Sequence, residues 1–177
     1  MKIGCIIISA LVLLSMTGCQ TLSKLNDTSS KSSGDFGLTL NTDKESYKTS
    51  EEIKLWGTFE YKGKQNSVTI WHDNPLINFY IESKSDSFKW EPLNDLVSIN
   101  TTINKKDKYV TYFQKPNISQ KDIESIEDEK MKKFMQDPKL HLPKGIYEVK
   151  ALMKFSTSKD FKSDITLITS FCIKVED

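Results

Sequence analysis

No arginine occurs anywhere in the 177 residues; every basic side chain is lysine. The chain therefore lacks the planar fork that reads guanine edges and phosphates bidentately, and nucleic acid is excluded as an expected partner. Cysteine is nearly as scarce. Cys5 and Cys19 lie in the first nineteen residues and Cys172 alone follows, so the bulk of the chain has no internal disulfide and must be held by a hydrophobic core. Cys172 precedes Ile173 in a strand-like segment with no cationic neighbour in sequence, the setting of a passive small residue rather than a nucleophile. With seven glycines, the sequence carries neither a Gly-x-Ser-x-Gly elbow nor a glycine-rich phosphate loop. Calcium loops of the Asp-x-Asp-x-Asp-Gly kind are absent too.

The two histidines, His72 beside Trp71 and His141 within Leu140-His141-Leu142, share no helical or strand spacing that would make a metal pair. Ser156-Thr157-Ser158-Lys159 matches Ser-x-x-Lys without its companion motifs, and a chain this rich in serine and lysine produces the spacing by chance. The densest carboxylate cluster, Glu124, Glu127, Asp128 and Glu129, sits among lysines and reads as a solvated face. No catalytic residues, cofactor or metal are therefore expected.

At the N-terminus Lys2 precedes a ten-residue apolar run, Cys5 to Leu14, and then Met16-Thr17-Gly18-Cys19. The run is too short to span a bilayer and has the order of a secretory signal. The Met-Thr-Gly-Cys ending resembles the lipobox of bacterial lipoproteins. That resemblance implies diacylglyceryl transfer to the thiol of Cys19, cleavage before it, N-acylation, often with palmitate, and a domain outside the cytoplasm on the cell membrane or outer membrane. Removing residues 1–18 takes Lys2 away and leaves 24 lysines against 24 carboxylates, a formally neutral chain with no charge bias toward any partner.

Residues 19–35 read as the lipidated cysteine and a flexible tether: from Gln20 to Gly34 five of fifteen residues are serine, with little apolar content. The domain is expected at 36–177. There, alternation of apolar and polar residues between turn clusters predicts antiparallel strands. Ile53 to Tyr61 is the clearest, followed by a turn at Lys62-Gly63-Lys64. Val68 to Trp71, Leu76 to Ile81, Leu96 to Ile103 and Tyr109 to Phe113 come next. Tyr147 to Phe155 and Leu167 to Val175 alternate strictly and are expected to pair as a final hairpin. One segment breaks this period, because Ser119 can cap a helix over 119–136, with Ile123, Ile126, Met131 and Phe134 near helical spacing and Pro138 as its stop.

These elements predict an all-β, immunoglobulin-like antiparallel sandwich of seven or eight strands with one inserted helix. Tyr147, after Pro143-Lys144-Gly145, is placed to be a tyrosine corner whose hydroxyl bonds back to the preceding loop. The stretch Leu40-Asn41-Thr42-Asp43-Lys44, then Tyr47, then Glu51-Glu52-Ile53-Lys54-Leu55, resembles the opening strands of the BsuPI-type intracellular proteinase inhibitor domain. Leu142-Pro143-Lys144-Gly145-Ile146-Tyr147-Glu148-Val149 is similar to that family's later turn and Tyr strand. The resemblance implies a non-enzymatic sandwich that binds a protein partner, with proteinase inhibition as the narrower form.

Trp56, Trp71 and Trp90 are the candidate partner-binding aromatics. Their alternative fate is burial, under the helix or, for Trp71, between the sheets. The expected partners are the bilayer, through acylated Cys19, and an envelope or extracellular protein. The competing readings are a cell-envelope hydrolase or its accessory subunit, which needs a cleft joining His72, Asp73 and a hydroxyl, and a structural envelope lipoprotein.

Overall fold

Strict alternation on the longest strands sets the architecture. In the computed structural model, which describes residues 27–92, 95–160, 162 and 164–177, β10 (Gly145–Ser156) and β11 (Asp164–Glu176) form the expected antiparallel hairpin. Tyr147, Val149, Ala151, Met153 and Phe155 on one strand, and Leu167, Thr169, Phe171, Ile173 and Val175 on the other, are all buried. The leader and Cys19 lie outside the described residues.

The remaining elements are β1 (Thr28–Ser33), β2 (Phe36–Thr42), β3 (Ser46–Lys48), β4 (Leu55–Tyr61), β5 (Ser67–Asn74), β6 (Asn78–Ser83), β7 (Lys89–Trp90), β8 (Asp95–Asn104), β9 (Lys108–Tyr112), α1 (Gln120–Glu124) and α2 (Glu129–Gln136). They build an all-β sandwich. One sheet runs β1-β2-β4-β9; the other runs β3-β11-β10-β5-β8, with β6 also on β10 and β7 on β6. Between them lies a core in which Leu38, Leu40, Phe59, Ile70, Ile81, Ile103, Met153 and Leu167 are fully buried. Phe36, Phe59 and Phe155 cluster at its middle, with ring centroids 4.8 to 5.8 Å apart. Gly57 stands in the apolar row of β4 because the turn before β6 comes close: a Cβ there would lie 3.0 Å from two carbons of Ile77.

The structure corrects four expectations. The second half of the expected tether is a strand: β1 pairs along its whole length with β2 through a turn at Gly34, whose positive φ of 56° suits glycine. Among the described residues the sheet thus already includes Thr28–Ser33, ahead of the expected start at Phe36. Serine and threonine, polar but compatible with a pleated edge, mask this strand in a composition reading. Second, there are eleven strands among the described residues. Four of them are not among the strands expected from alternation: β1, β3 and β7 are too polar or too brief to show a period, and β2, whose Phe36, Leu38 and Leu40 do alternate, is the fourth. Third, the pairing is not wholly antiparallel, since β3 runs parallel to β11.

Fourth, the segment 119–136 is two helices. Ser119 caps α1, accepting from the Asp122 N–H at 3.2 Å, as the sequence predicts. Asp128 then caps α2 by accepting from the N–H groups of Lys130 and Met131 at 2.8 and 3.2 Å, and this second cap interrupts the run.

Candidate functional site

Groove walls begin with the first half of the chain folding back on itself. The Tyr47 hydroxyl, buried near the start of β4, donates to Asp43 Oδ1 at 2.5 Å and accepts from the Lys44 N–H at 3.0 Å. Thr42 Oγ1, beside it, donates to the Lys54 carbonyl at 2.9 Å. Burial, reinforced by the Asp43 carboxylate, pushes the Tyr47 phenol well above its ordinary range. This node holds the loop from Asp43 to Lys54 as one wall. Tyr147 does the same for another loop: its hydroxyl donates to the Pro143 carbonyl at 2.8 Å, the tyrosine corner the sequence predicts. Burial raises its pKa to about 12.

The opposing wall is the segment after β9, and its central residue is Lys115. The ammonium donates to the carbonyls of Phe134, Asp137 and Lys139 at 2.5, 2.9 and 2.6 Å, and sits 3.8 Å above the Phe134 ring centroid. Three donors meet three acceptors around the C-terminus of α2, where the last carbonyls have no intrahelical partner. Burial pushes the ammonium down to about 8, against the pull of Asp137. For Asp137 itself, burial works upward, but hydrogen bonds from His141 and from the Lys139 N–H hold its carboxyl below the usual range. His141 Nδ1 lies 2.6 Å from Asp137 Oδ2.

Two grooves flank this lysine-bearing segment. One, of about 590 Å³, lies between Ile53–Trp56, Tyr112–Lys115 and Pro138–Leu140. The other, of about 400 Å³, is lined by Ile77, Phe79, Trp90 and the same Tyr112–Lys115 wall. Beneath them α2 covers an end of the core: Phe134 packs against Phe88 and Trp90 with centroids 5.3 and 5.4 Å apart.

The three tryptophans do not form one patch. Trp90 is 7% exposed, under α2 as the burial alternative expects. Trp56 is half-buried on the outer face of β4, its ring 6.4 Å from that of Tyr112 across the β4–β9 pair. Trp71 is half-buried on β5, and the inward positions there are Ile70 and His72. The expected core tryptophan is thus displaced by one residue, because the register of β5 turns its neighbours inward. What the sequence reading missed is Lys115; a lone lysine two residues past a strand carries no pattern that marks it.

His72 and His141 are not brought together. His72, 5% exposed, has Nε2 2.8 Å from Thr101 Oγ1 and Nδ1 2.6 Å from the main-chain carbonyl of Asp73. A carbonyl only accepts, so Nδ1 carries a proton, and in the neutral ring Nε2 receives the Thr101 hydroxyl. The carboxylate of Asp73 takes no part in that contact. Cys172 is buried. Among the described residues no group of three His, Cys, Asp or Glu side chains is placed to hold a metal, and no helix is long and apolar enough to cross a membrane.

No protein-family profile matches the chain, and no characterised protein matches it in sequence. Among solved structures it is similar to the crystal structure of Spo0M, a sporulation control protein from Bacillus subtilis, at 14% identity and a TM-score of 0.40. The match takes in 82% of this chain and 51% of that one, so the chain spans about half the length of that protein.

Proposed function

We propose that the chain is a membrane-anchored lipoprotein whose sandwich domain, outside the cytoplasm, works as a non-enzymatic protein-binding module. The observation that carries this is the leader: Lys2, the Cys5 to Leu14 run and Met16-Thr17-Gly18-Cys19 in the order that export and acylation require. The binding half rests on the grooves beside Lys115, which offer aromatic and aliphatic walls with paired charges at their rims, such as Lys139–Glu52 at 3.1 Å. Its narrower form, inhibition of a proteinase, rests on the resemblance of the Leu40–Leu55 and Leu142–Val149 stretches.

Cys19→Ser tests the anchor. The variant is expected in the soluble fraction without acyl label, and a variant still acylated and membrane-bound overturns the assignment. For binding, the intact lipoprotein is crosslinked in native membranes, and a Gln114→Lys variant, altered at the shared exposed wall of both grooves, is expected to lose the captured protein.

The hydrolase reading draws on one contact, the Thr101 hydroxyl on His72 Nε2. Loss of a measurable hydrolytic activity in a stably folded His72→Ala, His141→Ala double variant would establish it in place of the binding module.

A further inference from the structure

Thr28, Asn41, Trp56 and Tyr112 stand in one cross-strand row of the four-stranded sheet, as successive pairs in the register of β1, β2, β4 and β9. The row is the end of that sheet: it holds the first residue of β1, the second-last of β2, the second of β4 and the last of β9. All four share the outer face. Thr28 Oγ1 donates to Asn41 Oδ1 at 3.1 Å there, and Trp56 meets Tyr112 beside them. Three strand spacings of about 4.8 Å put the backbone of Thr28 only about 14 Å from that of Tyr112. The two most exposed large apolar side chains among the described residues lie on this face, Tyr112 at 63% and Val110, two residues back, at 47%; Ile99, Ile146 and Ile168, less exposed, belong to the other sheet.

Only the eight residues from Gln20 to Asp27 separate Cys19 from this row. Eight residues reach at most about 28 Å even when fully extended. An anchor at Cys19 therefore holds the Trp56–Tyr112 end of the sheet within about 28 Å of the bilayer, the turn at Lys62-Gly63-Lys64 lying at the far end of β4; what turns this end toward the surface is the character of its outer face.

We propose that the outer face bearing Trp56, Val110 and Tyr112 rests on the bilayer surface, so that the domain is oriented on its membrane and does not turn freely above it. The inference rests on the anchored reading of Cys19. Tryptophan and tyrosine favour the headgroup region, where the ring is shielded and the polar tip stays wet. Charge is mixed at this end: Lys44 pairs with Glu51 at 2.9 Å and Lys139 with Glu52, whereas exposed Lys54, two residues before Trp56, makes no ion pair among the described residues. An attachment carried by the aromatic face is expected to survive salt, and one carried by such a lysine is not. It also opens the groove beside Trp56 along the membrane surface, which fits a membrane-resident partner.

The test uses the full acylated chain on phosphatidylcholine vesicles, spin-labelled at Thr58→Cys, on the outer face between Trp56 and Val110, or at Lys64→Cys, at the far turn. Buried Cys172 stays unlabelled. The expected result is flotation with the vesicles, a Thr58 label shielded from a water-soluble relaxing agent and reached by a lipid-soluble one, and a Lys64 label open to water. Val110→Glu with Tyr112→Glu, both at exposed positions, is expected to open the Thr58 label while flotation persists through the acyl chains. Equal accessibility of the two labels on floating protein overturns the orientation and leaves the anchor standing. Shielding that disappears in high salt overturns the aromatic face in favour of lysine attraction. Failure of the wild-type chain to float removes the anchor, and the orientation with it.

Discussion

Replacing Lys115 by methionine keeps the stem over Phe134 and removes the ammonium, so it isolates the clasp on α2. The lysine makes three hydrogen bonds to main-chain carbonyls. Hydrogen bonds from charged groups contribute on the order of 1.5 to 3 kcal/mol each at most, and the partial burial of the ammonium offsets much of that. At neutral pH, where the group is still charged, the two nearly balance and the net loss is small. Because α2 is eight residues long, too short to persist unaided, the loss is expected to concentrate there, as faster amide exchange in Met131 to Gln136.

The pH dependence is more telling than the magnitude. Lys115 titrates at about 8 in the folded chain, below its ordinary value in the unfolded one. Between those two values the unfolded state holds more protons, so this group makes the fold more stable as pH rises from about 8 toward its ordinary pKa. Tyr47 and Tyr147 act in the opposite sense. Their raised pKa values make a contribution that is complete below the phenol's ordinary value and is lost at higher pH. Both tyrosines remain in the Lys115→Met variant, so subtracting its stability from that of the wild type cancels them. Urea denaturation of both proteins across this alkaline range should give a difference that widens with pH. A difference that is flat, or unchanged exchange in α2, would refute the role assigned to Lys115.

Phe59→Ala removes a fully buried ring from the Phe36–Phe59–Phe155 cluster and is expected to cost about 3 to 5 kcal/mol by denaturant titration; an unchanged midpoint would contradict the register of β4. Asp86, held down to about 2 by Lys130, the Phe88 N–H and Ser83, links the loop after β6 to α2, so its contribution is present above the ordinary carboxylate pKa and is lost as pH falls toward 2. Lys130→Ala should weaken that acid dependence, leaving the part set by the Phe88 N–H and Ser83, which exchange in α2 measured from pH 5 to about 2 will show.

The long strands were legible because burial on one face writes itself into every second residue. Tyr147, Val149, Ala151, Met153 and Phe155 could be read as a core row without knowing what they meet, and the same holds for Leu55, Gly57, Phe59 and Tyr61. The strand β1 was illegible for the converse reason. Its residues are exposed apart from the half-buried Ser29, so the pairing with β2 leaves no hydrophobic trace in Thr28–Ser33. The break between α1 and α2 lay in plain view as Asp128, a good N-cap. In a helical run an aspartate reads equally well as surface charge, and only the backbone around it decides.

For the candidate site, the difference between readable and unreadable residues is one of sequence distance. Tyr147 and its partner Pro143 are four residues apart, so the corner is a local pattern. Lys115 reaches carbonyls 19 to 24 residues away, across two helices, and Trp56 meets Tyr112 across a strand pair 56 residues apart. Contacts of that range are set by topology, and the periodicity of either segment is indifferent to them. The same reasoning ties the N-terminus to the grooves. The sequence alone makes residues 20–34 a long leash, whereas the pairing of β1 takes Thr28 to Ser33 into the sheet and leaves eight residues after Cys19. The pairing of β1 thus shortens the stretch of sequence between Cys19 and the sheet, and with it the distance at which an anchor there would hold the Trp56–Tyr112 end.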